Sequence, residues 1–262
     1  MIAAAAALIV IVILWDALRP APRVAKPPEP DVVAPNPPPP SSRSQGTAAP
    51  AVTPPPPAVD PVSREPGYIE LLARSETRRR IRASGNSTYL AEMLAVNADS
   101  MLRRWDNRSA SPVRVWFTPT NAANFKPAFL DAVRAAFAQW TNVGVPVRFV
   151  FDTDSTQSPE VSIRWRVQFE IERTGQTDVT WDENGRIQSA VITIATFDPK
   201  GRAMEPDDIR VVAMHEVGHL LGLDHSTDAT DLMFPTAKVR DLSARDVRTV
   251  LLLYQLSPGS LR

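Results

Sequence analysis

The 262-residue chain contains no cysteine. That excludes disulfides, a thiolate nucleophile, cysteine-ligated zinc, iron–sulfur clusters and a latency switch built on a metal-bound thiolate. A surplus of either charge is also missing, with 29 Lys plus Arg against 29 Asp plus Glu. Such a chain has no bulk basic field to hold nucleic acid, and none is expected as a partner. Histidine is scarce, at three residues. Proline is not scarce, but its 26 residues are unevenly spread, and 17 of them fall within residues 19–66.

Residues 19–66 also lack any aromatic side chain and include the runs Pro37–Pro40 and Pro54–Pro57. A segment of this composition buries too little apolar surface to offset its ordering entropy, so a disordered or polyproline II spacer is expected. Ahead of it, residues 1–15 form an unbroken apolar run. As a helix the run would measure about 22 Å, short of a ~30 Å hydrocarbon core. It suits the apolar region of a signal peptide. No basic residue precedes it and no small-x-small cleavage site follows, while Arg19, Arg23 and Lys26 lie just after it. Those charges alone would retain the following chain in the cytoplasm, a bias that a long domain overrides. Residues 1–18 are therefore read as a signal or anchor segment, kept as an anchor on an exported protein.

Residues 67–111 read as a helical N-terminal extension. Leu90, Met93, Leu94, Met101, Leu102 and Trp105 recur at helical spacing across 89–105. The extension is either a brace for the following domain or a propeptide over its cleft, and the brace is favoured. Arg78, Arg79, Arg80 and Arg82 suggest a processing site or, more commonly, a solvated helix face. Residues 112–257 read as a globular domain, with 258–262 a tail. Strands are expected at 113–118, 147–151 and 161–165, and a hairpin of 178–181 with 186–196 around Asn184-Gly185. Helices are expected at 127–140, 206–223 and 243–256, the last with Ser243 as N-cap and Asp246 closing a capping box.

All three histidines fall within eleven residues, His215-Glu216-Val217-Gly218-His219-Leu220-Leu221-Gly222-Leu223-Asp224-His225. Chance would give this pattern in roughly one shuffle of the composition in ten million. Four residues apart on a helix, His215 and His219 project from one face and can share one metal ion. The next helical turn cannot supply a third ligand in good geometry. The chain must reverse, and Gly222 is the residue able to end the helix at positive φ and return His225 to the metal. Three neutral nitrogens with one open position form the ligand set of catalytic zinc, although copper or nickel also binds three imidazoles. Glu216 points about 100° away from His215 and can serve as general base for an attacking water.

These residues resemble the metzincin zinc peptidases, whose signature is HExxHxxGxxH followed by a Met-turn. Asp231-Leu232-Met233-Phe234-Pro235 follows His225, and Ser226 with the Leu-Met-Phe-Pro form makes the matrixin branch the most similar. The resemblance implies an α+β, zincin-like domain: a mixed twisted sheet with an antiparallel edge strand, three helices, and an active-site helix carrying HExxH. It implies an endopeptidase with one catalytic zinc on His215, His219 and His225, Glu216 as base, and Met233 as an apolar floor. Phe234 and Pro235 would line the pocket for the residue after the scissile bond, and the 186–196 strand would be the edge on which an extended substrate pairs. Animal matrixins carry a second, structural zinc on further histidines, and here none is left for it. Arg245 stands where many relatives have an acidic residue that receives the mature N-terminus. Calcium is left open, with Asp152, Asp154, Asp182, Glu183 and Asp198 as loop carboxylates that more often serve as caps.

The expectation is thus a monomeric, exported and membrane-tethered zinc endopeptidase of the cell envelope or exterior, acting on proteins or peptides. The alternative is a catalytically inactive metal-binding surface protein of the same fold. A third reading makes the proline-rich segment the working part, as a scaffold ligand.

Overall fold

The computed structural model describes residues 67–97, 99–151 and 158–262. The anchor segment 1–18, the linker 19–66, and Asp152 and Asp154 lie outside the described residues.

Helix α1 (Tyr68–Ser84) buries only Thr77 and Ile81. Its arginines face outward: Arg79 pairs with Glu76, and Arg80 reaches Gln255. A short 3₁₀ turn (Gly85–Ser87) leads to α2 (Leu90–Val96). The helix expected across 89–105 stops here. Asn97 leaves helical geometry, Ser100 takes φ 50°, and Asp99 accepts the Met101 N–H. Asn, Asp and Ser side chains offer the backbone such local alternatives, and they outweigh the apolar spacing. Met101–Leu102 instead form β1, paired antiparallel with β7 (Gly259–Ser260) near the C-terminus. Residues 258–262, read as a tail, therefore hold a strand, and Leu261 is buried.

Strand β2 (Arg108–Phe117) starts before the expected boundary at 112, and Trp105 just ahead of it is fully buried. The Ser109-Ala110-Ser111-Pro112 stretch has no strand-like alternation. It extends because Arg108 is held by the Pro146 carbonyl and Glu160. The remaining elements are α3 (Ala128–Asn142), β3 (Val147–Phe151), β4 (Val161–Arg166), β5 (Gly175–Trp181), β6 (Ile187–Ala195), α4 (Pro206–Leu220) and α5 (Ala244–Gln255). The sheet order is β3-β2-β4-β6-β5. All neighbours are parallel except β5 with β6. This is the expected mixed α+β sheet with an antiparallel edge.

Which strand forms that edge differs from the expectation. The 186–196 strand is β6, hydrogen-bonded to β4 on one side and β5 on the other. Its alternating Ile187, Ala190, Ile192 and Ile194 are buried, as befits an inner strand. The edge is β5, the polar first arm of the hairpin. Its residues are half-buried or exposed, which suits a strand with one free flank.

Helix α3 buries Phe129, Val133, Phe137 and Trp140 along one stripe. It packs on α4, where the Trp140 indole donates to the Met214 carbonyl at 2.8 Å. Helix α4 starts with Pro206 and a capping box of Glu205 with Asp208. Helix α5 is capped by Ser243, whose hydroxyl accepts from the Arg245 and Asp246 N–H groups, and Asp246 completes the box.

Phe137 packs edge-on against Phe149 and Phe151 of β3. Phe137→Ala should cost about 3–5 kcal/mol by the scale of buried aromatic truncations. Urea denaturation measures it, and a loss under about 1 kcal/mol would contradict the packing described.

Candidate metal centre

His215 and His219 occupy the last two turns of α4, a helix buried on most of its surface. The helix ends at Leu220, and Gly222 takes φ 97°. A side chain there would collide with the Arg103 carbonyl, so the reversal requires glycine for space as well as for φ. Past this turn His225 comes back toward the helix. Its Nε2 lies 3.3 Å from His215 Nε2 and 3.2 Å from His219 Nε2. Among the described residues, no other group of three or more His, Asp or Glu side chains converges this way.

Two hydrogen bonds set the tautomers. His215 Nδ1 donates to the Leu232 carbonyl and His219 Nδ1 to the Leu223 carbonyl, each at 2.8 Å. A carbonyl only accepts, so both protons sit on Nδ1 and both Nε2 atoms are unprotonated. Burial first, and His219 second, hold the His215 imidazole down to about 3, in the neutral form that a ligand requires. Three imidazole nitrogens crowded at this spacing suit a shared cation. Ligands at about 2.0–2.1 Å in tetrahedral array stand roughly 3.3 Å apart, which matches the two separations found. The residues present fit one zinc ion.

Glu216 is buried and turned toward β5. Its Oε2 accepts from the Thr177 hydroxyl at 2.7 Å, and that hydroxyl also lies 3.1 Å from the Glu216 carbonyl oxygen. A Cβ on Gly175 would strike the carboxylate, so the strand approaches only because glycine stands there. Burial pushes the Glu216 carboxyl up to about 7, against the pull of the Thr177 hydroxyl. Met233 is fully buried, with its thioether against Gly218 of α4, where any side chain would displace it. Phe234 is half-buried beneath Lys238, and Pro235 is exposed. Sequence reading missed Gly175, Thr177 and Gly218. A glycine inside a helical pattern is a signal of close packing, and Gly218 could have been found that way. Thr177 carries no local signal.

The proposed calcium carboxylates serve turns. Asp182 accepts from the Asn184 and Arg186 N–H groups, and Asp198 from those of Lys200 and Arg202. Glu183 is exposed.

The matrixin family profile matches residues 105–255, more than half of the chain. The chain belongs to the matrixins. Residues 67–104 precede the matched region. The chain is 33% identical over 138 residues to metalloendoproteinase 1-MMP of Arabidopsis thaliana, covering 48% of this chain and 37% of that protein. It is 26% identical over 155 residues to metalloendoproteinase 1 of Glycine max, covering 50% and 47%. Across a shorter stretch of 49 residues it is 51% identical to macrophage metalloelastase of Oryctolagus cuniculus, covering 17% and 11%. Each match spans less than half of the relative's length. Family membership and the relatives' names support a metalloprotease, and the family implies zinc.

The purified matrixin should carry about one zinc per chain, read by elemental analysis after dialysis. His219→Ala should strip that content to below about a tenth. A variant that keeps stoichiometric zinc would show that the ion sits elsewhere.

Proposed function

We propose that this matrixin is a zinc-dependent endopeptidase, exported and tethered to a membrane by residues 1–18, with 19–66 as spacer. The single observation that supports it most is the meeting of three imidazole Nε2 atoms on and just after a helix whose Glu216 is buried against the edge strand of the sheet. Bound by His215, His219 and His225, zinc supplies Lewis acidity that polarises a substrate carbonyl and acidifies a water.

The protein's own groups do the rest. The Leu232 and Leu223 carbonyls hold two imidazoles in the ligating tautomer. Glu216 accepts the proton of the attacking water and hands it to the leaving amine, which returns its carboxylate to the ionised form. Thr177 and Gly175 set where that carboxylate rests. An extended peptide adds to the free flank of β5 through main-chain hydrogen bonds, which draws it past Glu216. Phe234 and Pro235 line the pocket for the residue after the scissile bond, and Met233 supports the metal from below.

Among the described residues no helix is long and apolar enough to cross a membrane, so tethering rests on the N-terminal apolar run alone. The chain acts as a monomer on protein or peptide substrates.

Glu216→Ala should keep its zinc and lose casein hydrolysis by about 10²-fold or more, the usual yield of a positioned general base. Hydrolysis at the wild-type rate would remove Glu216 from the mechanism. A wild type that binds zinc yet cleaves nothing would favour the inactive metal-binding alternative.

A further inference from the structure

Residues 85–105 pack against the end of α4 and the turn and loop after it, which carry His225. Asn97 Nδ2 donates to Asp224 Oδ2 at 3.1 Å, beside His225. The Trp105 indole donates to the Leu220 carbonyl at 2.9 Å, one residue past His219. The Arg103 carbonyl fills the space that Gly222 leaves open. Glu92 accepts from both the N–H and the hydroxyl of Thr227, and forms an ion pair with Arg245. Arg245 in turn grips Asp231 at 2.7 Å, and Asp231 is almost fully buried. The Tyr89 hydroxyl, wholly buried, donates to Asp246 Oδ1 at 3.1 Å. Asp246 Oδ2 accepts the Leu232 N–H at 2.8 Å, and the carbonyl of that same Leu232 orients His215.

Two chains of contact therefore lead from the extension to the ligands: Tyr89 through Asp246 and Leu232 to His215, and Asn97 through Asp224 to His225. Glu92 balances a cation that already leans on the buried Asp231. Where the segment reaches the β5–β6 hairpin, it does so through Arg103 over the Trp181 ring and Arg104 paired with Gly185 and Ile187, at the end of β5 away from the Gly175 and Thr177 that touch Glu216. A removable cover would contact the cleft and expose a solvent-compatible surface on leaving. Removing residues 85–105 would instead bare Tyr89's hydrogen-bond partner and a groove now filled by Leu90, Leu102 and Trp105.

We propose that Tyr89, Glu92 and Asn97 are positioning residues for the metal centre, which makes residues 85–105 a permanent part of the peptidase rather than a propeptide. The inference rests on the zinc reading above. It assigns control of the ligand loop to Tyr89, Glu92 and Asn97, which lie outside the region that the family profile matches.

The test uses the full chain and measures zinc affinity by competition with a chromophoric chelator, alongside peptide hydrolysis. Glu92→Gln combined with Asn97→Ala should weaken zinc binding by about tenfold, the lower end of the loss seen when supporting partners of ligands are removed. Tyr89→Phe removes one hydroxyl and keeps the ring that fills the core, so it decides the matter if the double variant does not fold. It should release zinc several times faster, with the fall in hydrolysis at limiting zinc restored by excess zinc. Both variants holding zinc as tightly as wild type would overturn the proposal, even if they melt earlier, because a merely structural brace changes stability alone. Wild type that takes up no zinc would instead sink the functional reading on which the inference stands.

Discussion

The Nδ1–H groups of His215 and His219 donate to the carbonyls of Leu232 and Leu223, and the remaining features of the site depend on those two bonds. They fix the tautomers, turn the rings, and place unprotonated Nε2 atoms 3.2–3.3 Å from that of His225. Each acceptor carbonyl comes from a loop that must itself be held. Leu223 sits just past the Gly222 reversal, which depends on left-handed backbone and on the close approach of Arg103. Leu232 sits in the loop that Asp246 anchors through its N–H, with Met233 locked against Gly218 below. A loss of supporting bonds of this kind typically costs 10–100-fold in metal affinity.

Packing then decides where the chemistry can occur. Helix α4 is wedged between α3, through the Trp140–Met214 bond, and the sheet at β5 and β6. That wedge brings Glu216 against the edge strand at the one place where glycine leaves room. The same strand keeps its other flank unpaired in the sheet. The three histidines and Glu216 therefore lie beside a sheet edge because one buried helix packs against it. The extension at 85–105 supports this assembly from the opposite side, with Tyr89 and Glu92 reaching α5 and the ligand loop.

Local chemistry made much of this legible in the sequence. The histidine spacing, Gly222 and the Leu-Met-Phe-Pro turn are short-range patterns, and each has a physical reason visible without coordinates. Helices α3, α4 and α5 were legible from apolar periodicity, Pro206 and the Ser243–Asp246 box, and β3 from its short run of β-branched and aromatic residues. What escaped was set by distant partners. Helical spacing over 89–105 was outvoted by turn-forming Asn97, Asp99 and Ser100. The hairpin was found, but which arm forms the edge depends on β4 claiming β6, a pairing that no local pattern encodes. Thr177 and Gly175 lie some 40 residues before Glu216, and their role appears only once β5 meets α4.

X-ray absorption at the zinc edge of the purified protein tests the central claim most directly. The account predicts a first shell of nitrogen and oxygen at about 2.0–2.1 Å with multiple scattering from three imidazoles, reduced to two in His225→Ala. A wild-type spectrum with two or fewer imidazoles, or one unchanged by His225→Ala, would contradict the convergence on which the whole site is built.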